Sequence, residues 1–392
     1  MKKYNYGIIT YNSINIGDEI QSVAASRFLP TIDEYVYRET INSFVPKDNE
    51  STTKLIMNAW WMWKPENFPP SRFIDPLLIS MHIRPNIREQ LLTEEVKKYF
   101  VEKGPIGCRD MDTYRWLISK GIKAYFSGCL TLTLQRNYNI PKKNYILCVD
   151  VEDSLVEKIK KQTQRPIYSI NRMISPYYGS KDRFEIAKIM LRLYHDAALI
   201  VSPRLHVILP SLAMETPVLR IISDGIINKS RYEGYENFCN SIDVSNNIND
   251  IEQYNFDIPM QNPTKHIELR DKLIEKCFNF TGYDNKESLI KDDIDPLVLF
   301  MKLNAYTYPK TRRMCYWISE KDLKITLQDK KKGVTQYDLV GENIVRKKSN
   351  YFLKFNYYRC RFILNFIKNE QKRAHYIDKL ERLKKTILLN AK

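Results

Sequence analysis

Glycine is scarce, with 12 in 392 residues, and no G-x-G-x-x-G or G-x-x-x-x-G-K-[ST] spacing occurs, so neither common glycine loop for nucleotide phosphates is available. Walker NTPases and ordinary dinucleotide enzymes are excluded on that ground. Cysteine is scarcer still. The seven thiols, at 108, 129, 148, 239, 277, 315 and 360, include no C-x-x-C pair. Their odd number and scatter argue against a disulfide framework and against a structural zinc site, so buried thiols and no metal are expected. No uncharged apolar stretch reaches the roughly 18 residues of a bilayer span, and Met1-Lys2-Lys3 leads into Tyr- and Asn-rich sequence rather than an apolar signal segment. A cytoplasmic protein is expected. What the chain does have is 43% apolar residues at a mean hydropathy of −0.44, enough to bury cores in two or three domains.

The net charge of +16 is confined to one end: residues 301 to 392 hold 23 Lys+Arg against 8 Asp+Glu, which leaves +1 for the first 300 residues. Within that tail, Tyr351, Phe355, Tyr358, Phe362 and Phe366 fall in a stripe of about 80° on a helical wheel, with Lys354, Arg361 and Lys368 on one flank and Arg359 on the other. An aromatic face with basic flanks suits a helix lying in an anionic membrane interface through residues 351–368. It also suits a helix packed on the body or on a second protomer. Aromatics on a single stripe fit a flat surface better than splayed bases, which points away from nucleic acid.

The rest of the chain alternates short apolar runs with amphipathic segments, the pattern of parallel sheets covered by helices. Strands are expected at 6–11, 35–38, 55–61, 77–83, 105–109 and 124–127, with helices at 18–29, 93–103 and 111–120. The polar stretch 136–144 then interrupts. After it come strands at 145–151, 166–170, 199–202 and 217–222, and helices at 154–162, 181–197 and 205–214. The expected fold class is therefore α/β, with two Rossmann-like domains facing a cleft and a basic, mostly helical C-terminal extension. The domain boundaries fall at 1–136, 145–285 and 286–392. Ligands of open α/β sheets bind beyond the carboxyl ends of the strands, so the residues just after strands carry the functional expectation.

Three junctions stand out. After the first strand, Asn15-Ile-Gly17-Asp18-Glu19 offers a glycine for the turn, Asn15 or Asp18 as helix cap, and an acid positioned to act as a base or to hold sugar hydroxyls. Gly107-Cys-Arg109-Asp110 places an arginine where a strand becomes a helix, either pinning the turn through an aspartate or standing as a cation at the cleft rim. The third, Ser202-Pro-Arg204-Leu-His206, puts a guanidinium and an imidazole two residues apart in apolar sequence, where an ion needs a partner. An anionic ligand supplies one: Arg204 grips a carboxylate or phosphate with two hydrogen bonds, and a histidine beside a bound dianion is poised as a general acid. Arg172, just after a strand, is a further candidate cation or else a surface arginine.

These elements, with Ser127-Gly128-Cys129 and Thr216-Pro217-Val218, resemble the polysaccharide pyruvyl transferase family over roughly residues 4–280. The resemblance implies a fold similar to two-domain B-type glycosyltransferases, with phosphoenolpyruvate as donor substrate on the second domain, a sugar acceptor on the first, and no cofactor. It implies donor-binding and catalytic roles for Arg204 and His206, and places Asp18 and Arg109 toward the acceptor side or the domain interface. On this reading His206 and Asp18 are catalytic, while Arg204, Ser202, Arg109, Asn15, Gly17 and Arg172 bind substrate. The product is a pyruvate ketal on a sugar of a surface polysaccharide or its lipid-linked precursor, made at the inner face of the membrane if the tail binds there. A glycosyltransferase using a nucleotide sugar and a non-catalytic carbohydrate- or membrane-binding protein are the alternatives.

Overall fold

A computed structural model describes residues 4–175, 178–223 and 229–306. The first half runs β1 (Tyr4–Thr10), α1 (Gly17–Ser26), β2 (Glu34–Tyr37), β3 (Thr52–Ile56), β4 (Trp60–Trp61), β5 (Ile74–Leu77), β6 (His82–Ile83), α2 (Arg88–Leu91), α3 (Glu94–Lys103), β7 (Ile106–Cys108), α4 (Met111–Ser119) and β8 (Ala124–Phe126). Strands β2-β1-β3-β5 form one parallel sheet, and β4 with β6 and β7 with β8 add short parallel pairs beside it. The second half runs β9 (Ile146–Val149), α5 (Asp153–Lys160), β10 (Ile167–Ile170), α6 (Ser180–Asp196), β11 (Leu199–Ser202), α7 (Leu205–Ala213), β12 (Val218–Ile222) and β13 (Asn240–Asp243). Its five strands are parallel in the order β10-β9-β11-β12-β13. Two helices follow, α8 (Ile267–Thr281) and α9 (Pro296–Tyr306). The molecule is thus mixed α/β built on parallel sheets.

Local chemistry accounts for the element ends. The Thr93 hydroxyl caps α3 by accepting the Val96 N–H at 3.3 Å, two glutamates occupy its first turn, and Gly104-Pro105 ends it. Asp110 caps α4 through the Thr113 N–H at 2.9 Å. The expected strand at 55–61 is broken, because the chain turns at Met57–Ala59 and Trp60–Trp61 pair with β6 instead. The one at 77–83 is broken by Ser80, whose φ of 52° is left-handed and leaves the ladder. Strand β13 is polar and at a sheet edge, where apolar periodicity gives no signal.

Among the described residues three apolar clusters form the core, and the largest runs from Ile8, Ile20 and Phe28 of the first half to Leu147, Ile200 and Leu209 of the second. Helix α1 packs on α6, and both α7 and α8 pack on the turn Leu130–Thr133. The expected boundary at 136–144 is a packed connection: Asn137 donates its N–H to His195 Nε2 at 3.1 Å, and Lys142 Nζ donates to the carbonyls of His195 and Met214 and to Thr216 Oγ1. After the second sheet the chain returns to the first half, where Arg27 pairs with Asp284 at 2.6 Å and Lys54 Nζ donates to the Phe280 carbonyl at 2.6 Å. Residues 286–306, placed by sequence in the extension, supply Ile290, Leu299, Phe300 and Leu303 to the main core. Cys108, Cys129, Cys148, Cys239 and Cys277 are free and buried, as expected. The amphipathic segment 351–368 lies outside the described residues.

Candidate active site

The carboxyl ends of β1, β9 and β11 converge where the two halves meet. Asp150, the residue after β9, has a φ of 55°, a left-handed conformation that an L-residue holds only when its surroundings enforce it. Its carboxylate takes Arg204 Nε at 2.9 Å and also pairs with Arg172 Nε, so two guanidiniums share one anion. Arg172 is therefore no surface arginine: Nη1 also donates to Asn15 Oδ1 at 2.9 Å, its carbonyl accepts the Ile16 N–H at 3.0 Å, and Asn15 bridges to Met173. These contacts join the two halves across the site. Asn15 Oδ1 also accepts the N–H of Gly17, the first residue of α1, at 3.0 Å, so one amide oxygen holds the helix start and the arginine together.

Ser202 shapes the start of α7. Its fully buried hydroxyl donates to the Val149 carbonyl at 2.8 Å and accepts the Arg204 N–H at 3.1 Å. His206 follows in the first turn at a non-helical φ of −81° and ψ of 15°. The backbone of Gly17 faces it. A Cβ there would lie 3.2 Å from His206 Nδ1, and Gly17 lies outside the left-handed region. The sequence expectation of a turn-forming glycine is corrected: this residue is small so that the imidazole can sit against the helix start.

Arg109 completes the center from the first half. It is 1% exposed, donates through Nη1 to Gln21 Oε1 at 2.8 Å, and lies 3.4 Å from His206 Nε2. Its Nε and Nη2 are buried with no hydrogen-bond partner among the described residues. The neighboring aspartate does not pin it, since Asp110 pairs with His82 Nδ1 at 2.6 Å. Tyr235 donates its hydroxyl to the Arg109 carbonyl and Tyr232 donates to the Pro203 carbonyl, so the segment after β12 spans both halves. Just before Tyr232 lies Arg231, lowered to about 10 by burial and by the Arg109 charge. Asp18, in the first turn of α1, accepts the Ser13 hydroxyl at 2.9 Å and faces Arg231 electrostatically.

The electrostatic result is a cluster with more cations than anions. Burial pushes His206 well below its usual value, and Arg109, Arg231 and Arg172 push it further in the same direction. The free site therefore holds His206 neutral, its Nε2 turned toward an arginine donor. Burial and Arg109 likewise pull His82 down to about 4. Burial alone would raise Asp110, but His82 and Arg109 hold it at about 2. Solvent reaches the cluster at Arg204 and Arg172, whose side chains are 33% and 20% exposed. A separate concavity of about 510 Å³ beside Asn42, Phe68 and Arg72 carries none of these groups.

All eight residues singled out by sequence lie around this junction. Arg231 and His82 were missed: His82 lies within β6 and Arg231 in the turn Lys229–Tyr232 well beyond the end of β12, so the strand-end rule that selected Arg172 and Arg204 passes over both. The fold and site define an α/β enzyme whose center joins the carboxyl ends of two parallel sheets around buried arginines. The family model for polysaccharide pyruvyl transferase matches residues 15–225, a stretch that includes all eight. The chain belongs to the polysaccharide pyruvyl transferase family. Among solved structures, a functionally uncharacterized protein of Klebsiella pneumoniae aligns over 61% of this chain and 92% of its own at 15% identity and a TM-score of 0.36. A search of curated proteins gives no match.

Proposed function

We propose that the enzyme moves the pyruvyl carbon skeleton of phosphoenolpyruvate onto two hydroxyls of one sugar in a surface polysaccharide or its lipid-linked precursor, giving a cyclic ketal. The observation that carries this reading is the uncompensated charge: a buried arginine with two unpartnered nitrogens beside a histidine that burial and neighboring cations keep neutral. Such a cluster is costly without an anion and favorable with a small polyanion that offers both a carboxylate and a phosphate. Arg109 and Arg231 face that anion from one side, and Arg172 and Arg204 from the other.

The chemistry follows from the same charges. Binding of the anion offsets the arginines, so His206 takes up a proton as the donor docks. It delivers that proton to the methylene carbon of phosphoenolpyruvate, and C2 becomes an oxocarbenium-like center stabilized by the flanking carboxylate and phosphate. One sugar hydroxyl adds to C2, phosphate departs with its bonding pair, and a second hydroxyl closes the ring. Asp18 offsets Arg231 and offers an acceptor for a hydroxyl proton on the first-half side. We further propose a cytoplasmic enzyme held at the inner membrane face through its basic tail.

The test is a pair of measurements on the full chain. Phosphoenolpyruvate should raise the melting temperature of both wild type and His206→Gln, whereas the variant should release phosphate at least about 100-fold more slowly, the usual scale of a lost general acid. No thermal shift in wild type, or an unchanged rate in the variant, would overturn the reading.

A further inference from the structure

The mechanism above leaves a buried acid–base pair unused. His82 and Asp110 are 2% and 1% exposed and bonded at 2.6 Å through Nδ1 and Oδ2, while Asp110 Oδ1 is fixed as the cap of α4. Asp110 accepts from Nδ1–H, so a neutral His82 carries its lone pair on Nε2, and no partner holds that atom among the described residues. The pair is close enough to the donor cluster for His82 to act on the charge of His206 and for Arg109 to act on His82.

The surroundings of His82 are as informative as the pair. In the parallel ladder of β4 and β6, Trp60 is its direct neighbor, so both side chains stand on one face, and Arg84, two residues on, shares it. Arg84 lies over the rings of Trp60 and Trp63 at 5.1 and 4.8 Å, and no acid pairs with it among the described residues. The two indoles meet edge to face at 4.8 Å. Trp63 is 62% exposed, yet its backbone is fixed by Glu39, which accepts the Trp63 N–H at 2.9 Å. Beneath this surface the buried Arg38 lies 4.5 Å from the Trp60 ring and 4.9 Å from that of Tyr11, the residue next to β1 that feels the Asp18 charge. An exposed indole with a fixed backbone beside the Arg84 guanidinium matches a pyranose ring, which offers an apolar C–H face and a rim of hydroxyls.

We propose that a saccharide acceptor seats its ring on Trp63 with Arg84 on its hydroxyls, and that His82, oriented by Asp110, takes the proton of the attacking hydroxyl. This rests on the pyruvyl-transfer reading and supplies its acceptor half. As the hydroxyl oxygen bonds to C2, its proton passes to His82 Nε2, and the C2–C3 π electrons take the proton from His206. The imidazolium then protonates the departing phosphate. The second hydroxyl gives up its proton to Asp18 as the ring closes, Asp18 releases it to solvent, and solvent reprotonates His206. His82 is a catalytic residue in this scheme, and Asp110 a positioning residue.

The experiment uses the full chain on a printed array of bacterial surface saccharides, followed by kinetics with the best-bound saccharide as acceptor. Wild type should bind, and Trp63→Ala should raise the KM for that saccharide at least tenfold with kcat and the phosphoenolpyruvate thermal shift unchanged. His82→Gln should keep saccharide binding and the thermal shift but lose at least 100-fold in kcat. Asp110→Asn, which retains a cap, should lose about tenfold in kcat at unchanged KM. An array on which wild type binds nothing, an unaltered KM for Trp63→Ala, or a wild-type kcat for His82→Gln would overturn the proposal. The thermal shift reports the donor alone and the array the acceptor alone, so failure of one half is distinct from failure of the other.

Discussion

His206 sits where burial and three arginines all oppose its protonation, and the sign of the resulting pH dependence is fixed. The folded state holds the proton less well than the unfolded chain, whose histidines titrate near 6.5. The stability that His206 contributes is therefore full above that pH and is lost as pH falls through and below it, by up to about 1.4 kcal/mol per pH unit for this group. Thermal melts from pH 7.5 to 5 should show wild type losing stability faster than His206→Gln, and parallel curves would contradict the assignment. Phosphoenolpyruvate should reverse the trend, with a thermal shift that grows on acidification more in wild type than in the variant, because the difference cancels the titration of the ligand itself. Gly17 gives a second test at this scale. An added methyl would come within 3.2 Å of the imidazole while α1 gains a better helix former. Gly17→Ala should keep or slightly raise the melting temperature and slow phosphate release at least about tenfold, since small displacements of a reacting group are costly. Equal losses of stability and activity would make this glycine merely structural.

Helices α1 and α6 are tied by an ion pair that holds the site together from behind. Arg183, fully buried on α6, reaches Glu19 on α1 at 2.6 Å and donates through Nη2 to the Ser13 carbonyl at 2.6 Å. Ser13 in turn holds Asp18. Removing one partner leaves a buried charge, so Arg183→Met should cost about 3–5 kcal/mol in denaturant unfolding, and Glu19→Met in the same chain should recover most of it. A single variant as stable as wild type would show that the pair is not closing the two halves. This tie also marks the limit of reading by sequence. The parallel-strand pattern and the helices flanking it were legible because burial leaves an apolar run after each polar connection, and the strand-end rule pointed to Arg204, His206 and Arg109. Glu19 stood inside a recognized motif, but its partner lies 164 positions away, and no local pattern encodes such a distance. The Asp110 bond to His82 escaped for the same reason: an Arg-Asp dipeptide suggests a local pair, whereas the fold turns the aspartate toward β6 and the arginine toward α7.

At the scale of the molecule, charge and catalysis are separated along the chain. The first 300 residues carry +1 and contain every group assigned a chemical role, whereas the remaining 92 carry +15. The arginines of the cluster are held by Asp150, Asn15 and Gln21 where the strand ends of the two halves converge, a setting that suits a small anion rather than a lipid surface. An attraction to acidic lipid must come from the tail, where each Lys or Arg near the surface contributes about 1 kcal/mol and the effect fades beyond a Debye length of about 10 Å at 0.1 M salt. The aromatic residues that the sequence pattern aligns at 351–368 would add a term that salt does not screen. The two contributions separate experimentally. Full-length protein should sediment with vesicles of anionic lipid, and raising the salt should weaken but not abolish the association. A chain ending at residue 344 should stay in the supernatant yet release phosphate at the full-length rate with a soluble acceptor, because every group assigned a chemical role lies in the first 300 residues. Sedimentation of the shortened chain would move the lipid contact onto the catalytic body, and loss of its turnover would make the tail part of the enzyme rather than its anchor.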